Sequence, residues 1–239
     1  MILHTEREGK GDAVLLIHSG LQTGKTDFVH LASELNQSFF VIRPDLRGHG
    51  RSKSNDINNF FEDSADDLAQ TLAHLEVHKI HVIGSSLGGL VAMTFAKKFP
   101  HLINSLTLSG VKPVKPSNWS LIHQSEVDAQ AQLLTNQESV EYFDHLHQSD
   151  WCSFLKMAKD EAWYPFQKMN NIVGIKAPIF IIVGEGMEDE VRGALYYQGL
   201  SKHVRIAIVP FASHLVQAQQ PELYTKLMQT FLAGINKRL

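Results

Sequence analysis

The stretch Gly84-Ser85-Ser86-Leu87-Gly88-Gly89 constrains this chain more than any other. Ahead of it, Ile80-His81-Val82-Ile83 reads as a short buried strand. Behind it, Leu90-Val91-Ala92-Met93-Thr94-Phe95-Ala96 reads as an apolar helix. A glycine-x-serine-x-glycine run at such a junction makes a turn so sharp that the central serine is held in a strained backbone conformation with its hydroxyl exposed. The positions two before and two after it must lack bulk, and Gly84 and Gly88 satisfy this around Ser86, not Ser85. Ser86 is therefore the predicted nucleophile. The five-residue pattern alone could be a plain glycine–serine connector; the strand before it and the helix after it give it weight.

Most of the other apolar runs are also strand-length. Ala13-Val14-Leu15-Leu16-Ile17, Phe39-Phe40-Val41-Ile42, Ile103 to Leu108, Ile179 to Val183 and Val204 to Val209 are near-continuous, the mark of strands covered on both faces. Up to Gly110 each is followed by a helical pattern or crossover, so the chain predicts an α/β fold with a mainly parallel central sheet and helices on both faces. A helix is expected to open near Thr26 or Asp27, a second to be capped by Asp63 or Ser64, and a last to run from Pro221. From about 112 to 174 the rhythm breaks. Helical patterns around Ser125–Leu134, Glu138–His147 and Cys152–Trp163 replace strands, and all three tryptophans, Trp119, Trp151 and Trp163, lie there. This reads as a helical cap (112–174), inserted after the sixth strand into a core made of 1–111 and 175–239. The tryptophans are candidates for an apolar substrate pocket, with at least one expected to glue the cap's helices together instead.

With 239 residues and 44% hydrophobic content, the chain suffices for one such domain with its insertion. A net charge of -3 with both signs dispersed excludes nucleic acid and anionic membranes as expected partners. The only cysteine, Cys152, allows no internal disulfide, and the 13 histidines show no ligand spacing, so neither metal nor cofactor is expected. No apolar leader or bilayer-length segment is evident, which predicts a soluble cytoplasmic protein acting on a small molecule; the oligomeric state is open. Gly20-x-x-x-Gly24-Lys25-Thr26 imitates a phosphate-binding loop but has one residue too few between its glycines, which changes the backbone cradle.

Four pieces, in order, make the chain similar to the α/β-hydrolase superfamily, in its branch of small-cap esterases, enol-lactonases and carbon–carbon bond hydrolases. They are His18-Ser19-Gly20, like the family's oxyanion loop; Asp45-Leu46-Arg47-Gly48-His49-Gly50-Arg51-Ser52, which matches its Asp-x-Arg-Gly-x-Gly-x-Ser loop; the nucleophile elbow at 84–88; and Ser213-His214 after the last strand. The resemblance spans nearly the whole chain. It departs at Ser19, where the family has a second glycine, and in the acid loop. The family's aspartate would fall on Met187, so Asp189, or Glu188 beside it, is the expected acid.

The resemblance implies a Ser86–acid–His214 triad, with the oxyanion held by the backbone N–H groups of Gly20 and Leu87. His18, His49, Asp45 and Arg47 are expected to brace loops. A serine nucleophile excludes the alkyl-ester chemistry of relatives with aspartate at that position. The expected activity is hydrolysis of a small carboxylic ester, lactone or thioester through an acyl-enzyme. Carbon–carbon bond hydrolysis by the same triad, or a ligand-binding protein with little turnover, are the alternatives.

Overall fold

The computed structural model describes residues 1–236. In chain order its elements are β1 (Thr5–Glu8), β2 (Asp12–Ile17), α1 (Val29–Leu35), β3 (Phe39–Pro44), α2 (Phe60–His74), β4 (Ile80–Ser85), α3 (Leu87–Lys98) and β5 (Ile103–Ser109). Then follow α4 (Trp119–Thr135), α5 (Gln137–Leu146), α6 (Cys152–Ala158), α7 (Phe166–Met169), β6 (Ile179–Gly184), α8 (Glu188–Leu200), β7 (Val204–Val209), α9 (Val216–Gln219) and α10 (Pro221–Asn236). The strands form one sheet in the order β1-β3-β2-β4-β5-β6-β7. Only β1 pairs antiparallel, on β3; every other pairing is parallel.

Alternation along the strands explains why both faces are covered. Ala13, Leu15 and Ile17 of β2 and Ile179, Ile181 and Val183 of β6 point to the side of α2, α3 and α8. Val14, Leu16, Phe180 and Ile182 point to the other, where α1 and α10 supply Leu31, Leu35, Tyr224 and Met228. Both sets are apolar, so the strands read as continuous rather than alternating runs.

Helices α4–α7 all lie between β5 and β6. Five strands precede this insertion, not the six expected, because the polar N-terminus contributes only the four paired residues of β1. The insertion has its own aromatic centre of Trp119, Tyr164 and Phe166. It joins the core tightly at its start, where a Cβ added at Gly193 of α8 would stand 2.6 Å from Pro113 Cδ. It is also tied down between α5 and α6. His147 Nδ1 accepts from Gly50 N–H (2.9 Å), and its Nε2–H donates to the Leu21 carbonyl (3.1 Å).

Three helix starts differ from the reading of the sequence. Helix α1 begins at Val29, not at Thr26 or Asp27, because the buried Asp27 carboxylate is committed to tertiary bonds with Ser19 and Gln217. Helix α2 begins at Phe60, ahead of Asp63 and Ser64, and Asp63 pairs with Arg47 instead of capping. Helix α4 begins at Trp119 rather than Ser125, and α6 stops at Ala158, short of Trp163. No helix among the described residues is long and apolar enough to cross a membrane.

Candidate active site

The turn between β4 and α3 holds Ser86 at φ 53° and ψ -119°, a conformation that non-glycine residues rarely adopt. Crowding imposes it: a Cβ at Gly84 would lie 2.3 Å from the Gly88 carbonyl oxygen. Ser85 faces away, fully buried, its hydroxyl donating to Gln217 Oε1 at 3.1 Å. Ser86 Oγ–H instead donates to His214 Nε2 at 2.8 Å. His214 follows β7, so two distant segments meet at the same ends of parallel strands.

The other imidazole nitrogen, Nδ1, donates to a carboxylate at 2.7 Å, and that carboxylate belongs to Glu190. A carboxylate can only accept this bond, which fixes the proton on Nδ1 and leaves Nε2 to accept from the serine. Neither Asp189 nor Glu188 is in this position. Glu188 is 77% exposed and pairs with Arg192 one turn along α8, while Asp189 is half-buried on the outer face. The reason is helical phase. Met187 is the residue before α8, so 188, 189 and 190 form its first turn and point about 100° apart. Only Glu190 turns inward, with Gly193, Ala194 and Tyr197, at spacings of three, four and seven. The sequence carries that periodicity as Glu190-x-x-Gly193-Ala194-x-x-Tyr197, readable only with a helix that starts directly after Met187.

Gly20 and Leu87 are neighbours: a Cβ at Gly20 would sit 3.8 Å from Leu87 Cβ. Neither backbone N–H has a hydrogen-bond partner among the described residues. Ser19, the departure from the glycine pattern, uses both its N–H and its hydroxyl to donate to Asp27 Oδ2, each at 2.8 Å. The same aspartate accepts from Gln217, which accepts from Ser85. A buried polar chain thus ties the Gly20 loop to the elbow.

His18 donates from Nδ1 to its neighbour's carbonyl and accepts Leu46 N–H at Nε2, so it braces two loops. Asp45 accepts from the N–H groups of Gly24 and Arg51, and Arg47 from the same loop holds Asp63 and Asp67. His49 bonds to the Arg47 carbonyl and packs on Phe154. Burial pushes the imidazoles of His18, His49 and His147 below the ordinary histidine value, most strongly His49, where the two neighbouring rings add to the effect.

A cavity of about 380 Å³ opens over Ser86 and His214. Its roof is the insertion: Ala129 and Leu133 of α4, Phe154 and Leu155 of α6, and Trp163. Of the three tryptophans expected there, only Trp163 reaches it. Trp119 is sealed among Tyr164 and Phe166, donating to the Glu161 carbonyl, and Trp151 packs on Phe143 and donates to Asp144. Their indoles hold the insertion together. The cavity wall also carries Lys112, Glu126, Gln130 and Tyr164, polar residues that the reading of the sequence did not place at the site.

Comparison with known proteins agrees with this architecture. The human serine hydrolase BPHL is 26% identical over 245 residues, covering 96% of this chain and 82% of its own. Among solved structures, NosK from Streptomyces actuosus superposes with a TM-score of 0.82 at 23% identity, over 95% of this chain and 100% of NosK. A thermophilic esterase from Thermogutta terrifontis superposes at 0.75 with 24% identity, over 98% of this chain and 93% of its own. Residues 12–158 match the family model described as the alpha/beta hydrolase fold, a span that runs from β2 through the elbow into the insertion. On that match, and with a sheet order and elbow of the same kind, the chain belongs to the α/β-hydrolase family.

Proposed function

We propose that the protein is a serine hydrolase that cleaves a small carboxylic ester, lactone or thioester through an acyl-enzyme on Ser86. The observation that carries this reading is the unbroken run of short hydrogen bonds from Ser86 Oγ to His214 (2.8 Å) and from His214 to Glu190 (2.7 Å). His214 Nε2 takes the serine proton as Oγ attacks the carbonyl carbon. Glu190 keeps the imidazole in the accepting tautomer and stabilises the imidazolium. The tetrahedral oxyanion is received by the N–H groups of Gly20 and Leu87, each typically worth about 3 kcal/mol of barrier. Collapse expels the alcohol or thiol, which takes the proton from His214, and water repeats the sequence to release the acid. Residues 112–174 act as the cap that supplies the apolar roof, over a core of 1–111 and 175–239. The human relative's name, a serine hydrolase, and the esterase among the structural neighbours support the same chemistry.

A fluorophosphonate probe with mass mapping tests this directly. Labelling is expected on Ser86, is lost in Ser86→Ala, and is accompanied by turnover of short-chain p-nitrophenyl esters. Labelling elsewhere, or none, would sink the proposal. Labelled Ser86 without ester turnover would favour carbon–carbon bond hydrolysis or a ligand-binding role.

A further inference from the structure

The cavity over Ser86 is mostly apolar, yet Lys112 is among its lining residues, and no carboxylate of the described residues lies within ion-pair distance of its ammonium. Lys112 is only 6% exposed and lines the wall beside the catalytic pair, since Gly110, two residues before it, lies against both Ser86 and His214. Its ammonium makes no hydrogen bond or ion pair with any described residue, whereas the other buried charged groups among the described residues are engaged: Asp67 with Arg47, Asp45 with the N–H groups of Gly24 and Arg51, Asp27 with Ser19 and Gln217, Glu190 with His214. Lys112 Nζ is not among the fully sealed side-chain atoms, so the stem is buried while the ammonium keeps solvent access, and an anion reaching it would meet no competing partner among the described residues.

The backbone around Lys112 is also held in place. The Tyr164 hydroxyl accepts the Lys112 N–H at 2.5 Å and donates to the Lys112 carbonyl at 3.1 Å. Tyr164 is buried, and burial pushes its phenol well above the ordinary tyrosine value, so it stays a neutral donor. The same contact brings the next residue back, Trp163, to the same wall. Its indole N–H is buried and has no acceptor. A cation on a held backbone and an N–H donor, both lining the same cavity and neither with a partner among the described residues, are complementary to a carboxylate. Glu126 of α4 lines the cavity too; it is half-buried and forms no ion pair with Lys112. Gln130 presents an unpartnered carbonyl oxygen on the same helix.

We propose that Lys112, with the Trp163 indole N–H, is a carboxylate-binding subsite, so that the substrate opened at Ser86 is an anionic one: an ester, lactone or thioester that carries a second, ionised carboxyl group. This rests on the serine-hydrolase reading and adds the substrate class to it.

The test is a matched panel. Monoethyl esters of succinate, glutarate and adipate, and acetoxy acids with the carboxylate on the alcohol side, are compared with their uncharged diesters by kcat/KM in a pH-stat. The best hemiester is expected to exceed its neutral partner at least ten-fold. In Lys112→Met that ratio falls at least ten-fold, to about one, as expected on losing a charge-assisted contact, and Lys112→Arg restores most of it. Glu126→Gln keeps the preference. A wild type that favours neutral esters throughout, a ratio unchanged in Lys112→Met, or a preference abolished by Glu126→Gln alone would overturn the subsite. Turnover of neither class would count against the serine-hydrolase reading instead. Calorimetry then reads the subsite by itself: Ser86→Ala protein should bind glutarate, and the Ser86→Ala/Lys112→Met protein should not. If Lys112→Met does not fold, Lys112→Arg and the salt dependence of the wild-type ratio decide the matter. Equal ratios at low and high ionic strength would refute the ionic contact.

Discussion

Glu190→Gln is the substitution that most directly tests the site as drawn. The Glu190 carboxylate is fully sealed from solvent; one oxygen lies 2.7 Å from His214 Nδ1 and the other has no hydrogen-bond partner among the described residues. Its whole interaction is thus with one imidazole. A glutamine there has two ways to sit. With its NH2 toward Nδ1, it drives the imidazole proton to Nε2, which then faces Ser86 Oγ and cannot accept. With its carbonyl toward Nδ1, the tautomer survives but the imidazolium loses its negative partner. The comparable change in serine-protease triads lowers kcat by about 10⁴, or about 5 kcal/mol of barrier. We expect a loss of that order in kcat for p-nitrophenyl butyrate, with a thermal midpoint at or above the wild type's, because a buried charge with one unsatisfied oxygen has been neutralised. Asp189→Asn and Glu188→Ala should stay within about three-fold, since neither side chain touches the reacting groups. Glu190→Gln activity within about ten-fold of wild type, or a loss of several decades in Asp189→Asn, would refute the assignment of the acid.

Three further outcomes follow from the same geometry. Ser86→Gly should be inactive yet more stable by about 1 kcal/mol in urea unfolding, because relief of the positive-φ strain outweighs the added freedom of the unfolded chain; a lower midpoint would mean that Ser86 is not strained. Gly84→Ala should cost about 3 kcal/mol or more, since the new methyl meets the Gly88 carbonyl at 2.3 Å, and a melting curve like the wild type's would contradict the tight elbow. Stability should fall on mild acidification. The values for His18, His49 and His147 are depressed in the folded protein, so below about pH 6.5 the unfolded chain binds more protons. Their contribution is complete above that pH and is lost as pH drops toward the depressed values, at about 1.4 kcal/mol per unit of depression. Urea midpoints that stay flat from pH 7.5 to 5.5 would contradict this.

The parts of this protein legible in the sequence were those set by local sterics or by continuous apolar runs. The elbow announces itself because only glycine fits at 84 and 88, and the strands announce themselves because both faces are buried. The proposed acid, Glu190, is not legible by motif. It sits on the first turn of a helix, three residues beyond the family's position, and its selection over Asp189 depends on which way each residue of that turn points. Helix starts were misplaced where a polar residue had a tertiary use, as with Asp27, whose bonds to Ser19 and Gln217 span 8 and 190 residues. The tryptophans illustrate the same limit: composition located them in the insertion, but only packing separates Trp163, at the cavity, from Trp119 and Trp151, inside the helical layer.

The close seat of Gly193 on Pro113 has a mechanical corollary. The helix that carries Glu190, the carboxylate on His214 Nδ1, is also the abutment for the first residues of the roof, with no side chain between them to absorb slack. A sideways push at that junction is delivered one helical turn away, at Glu190. Anyone grafting a foreign lid onto this scaffold should therefore keep Pro113 and α8 together as a single block, and splice downstream of the proline.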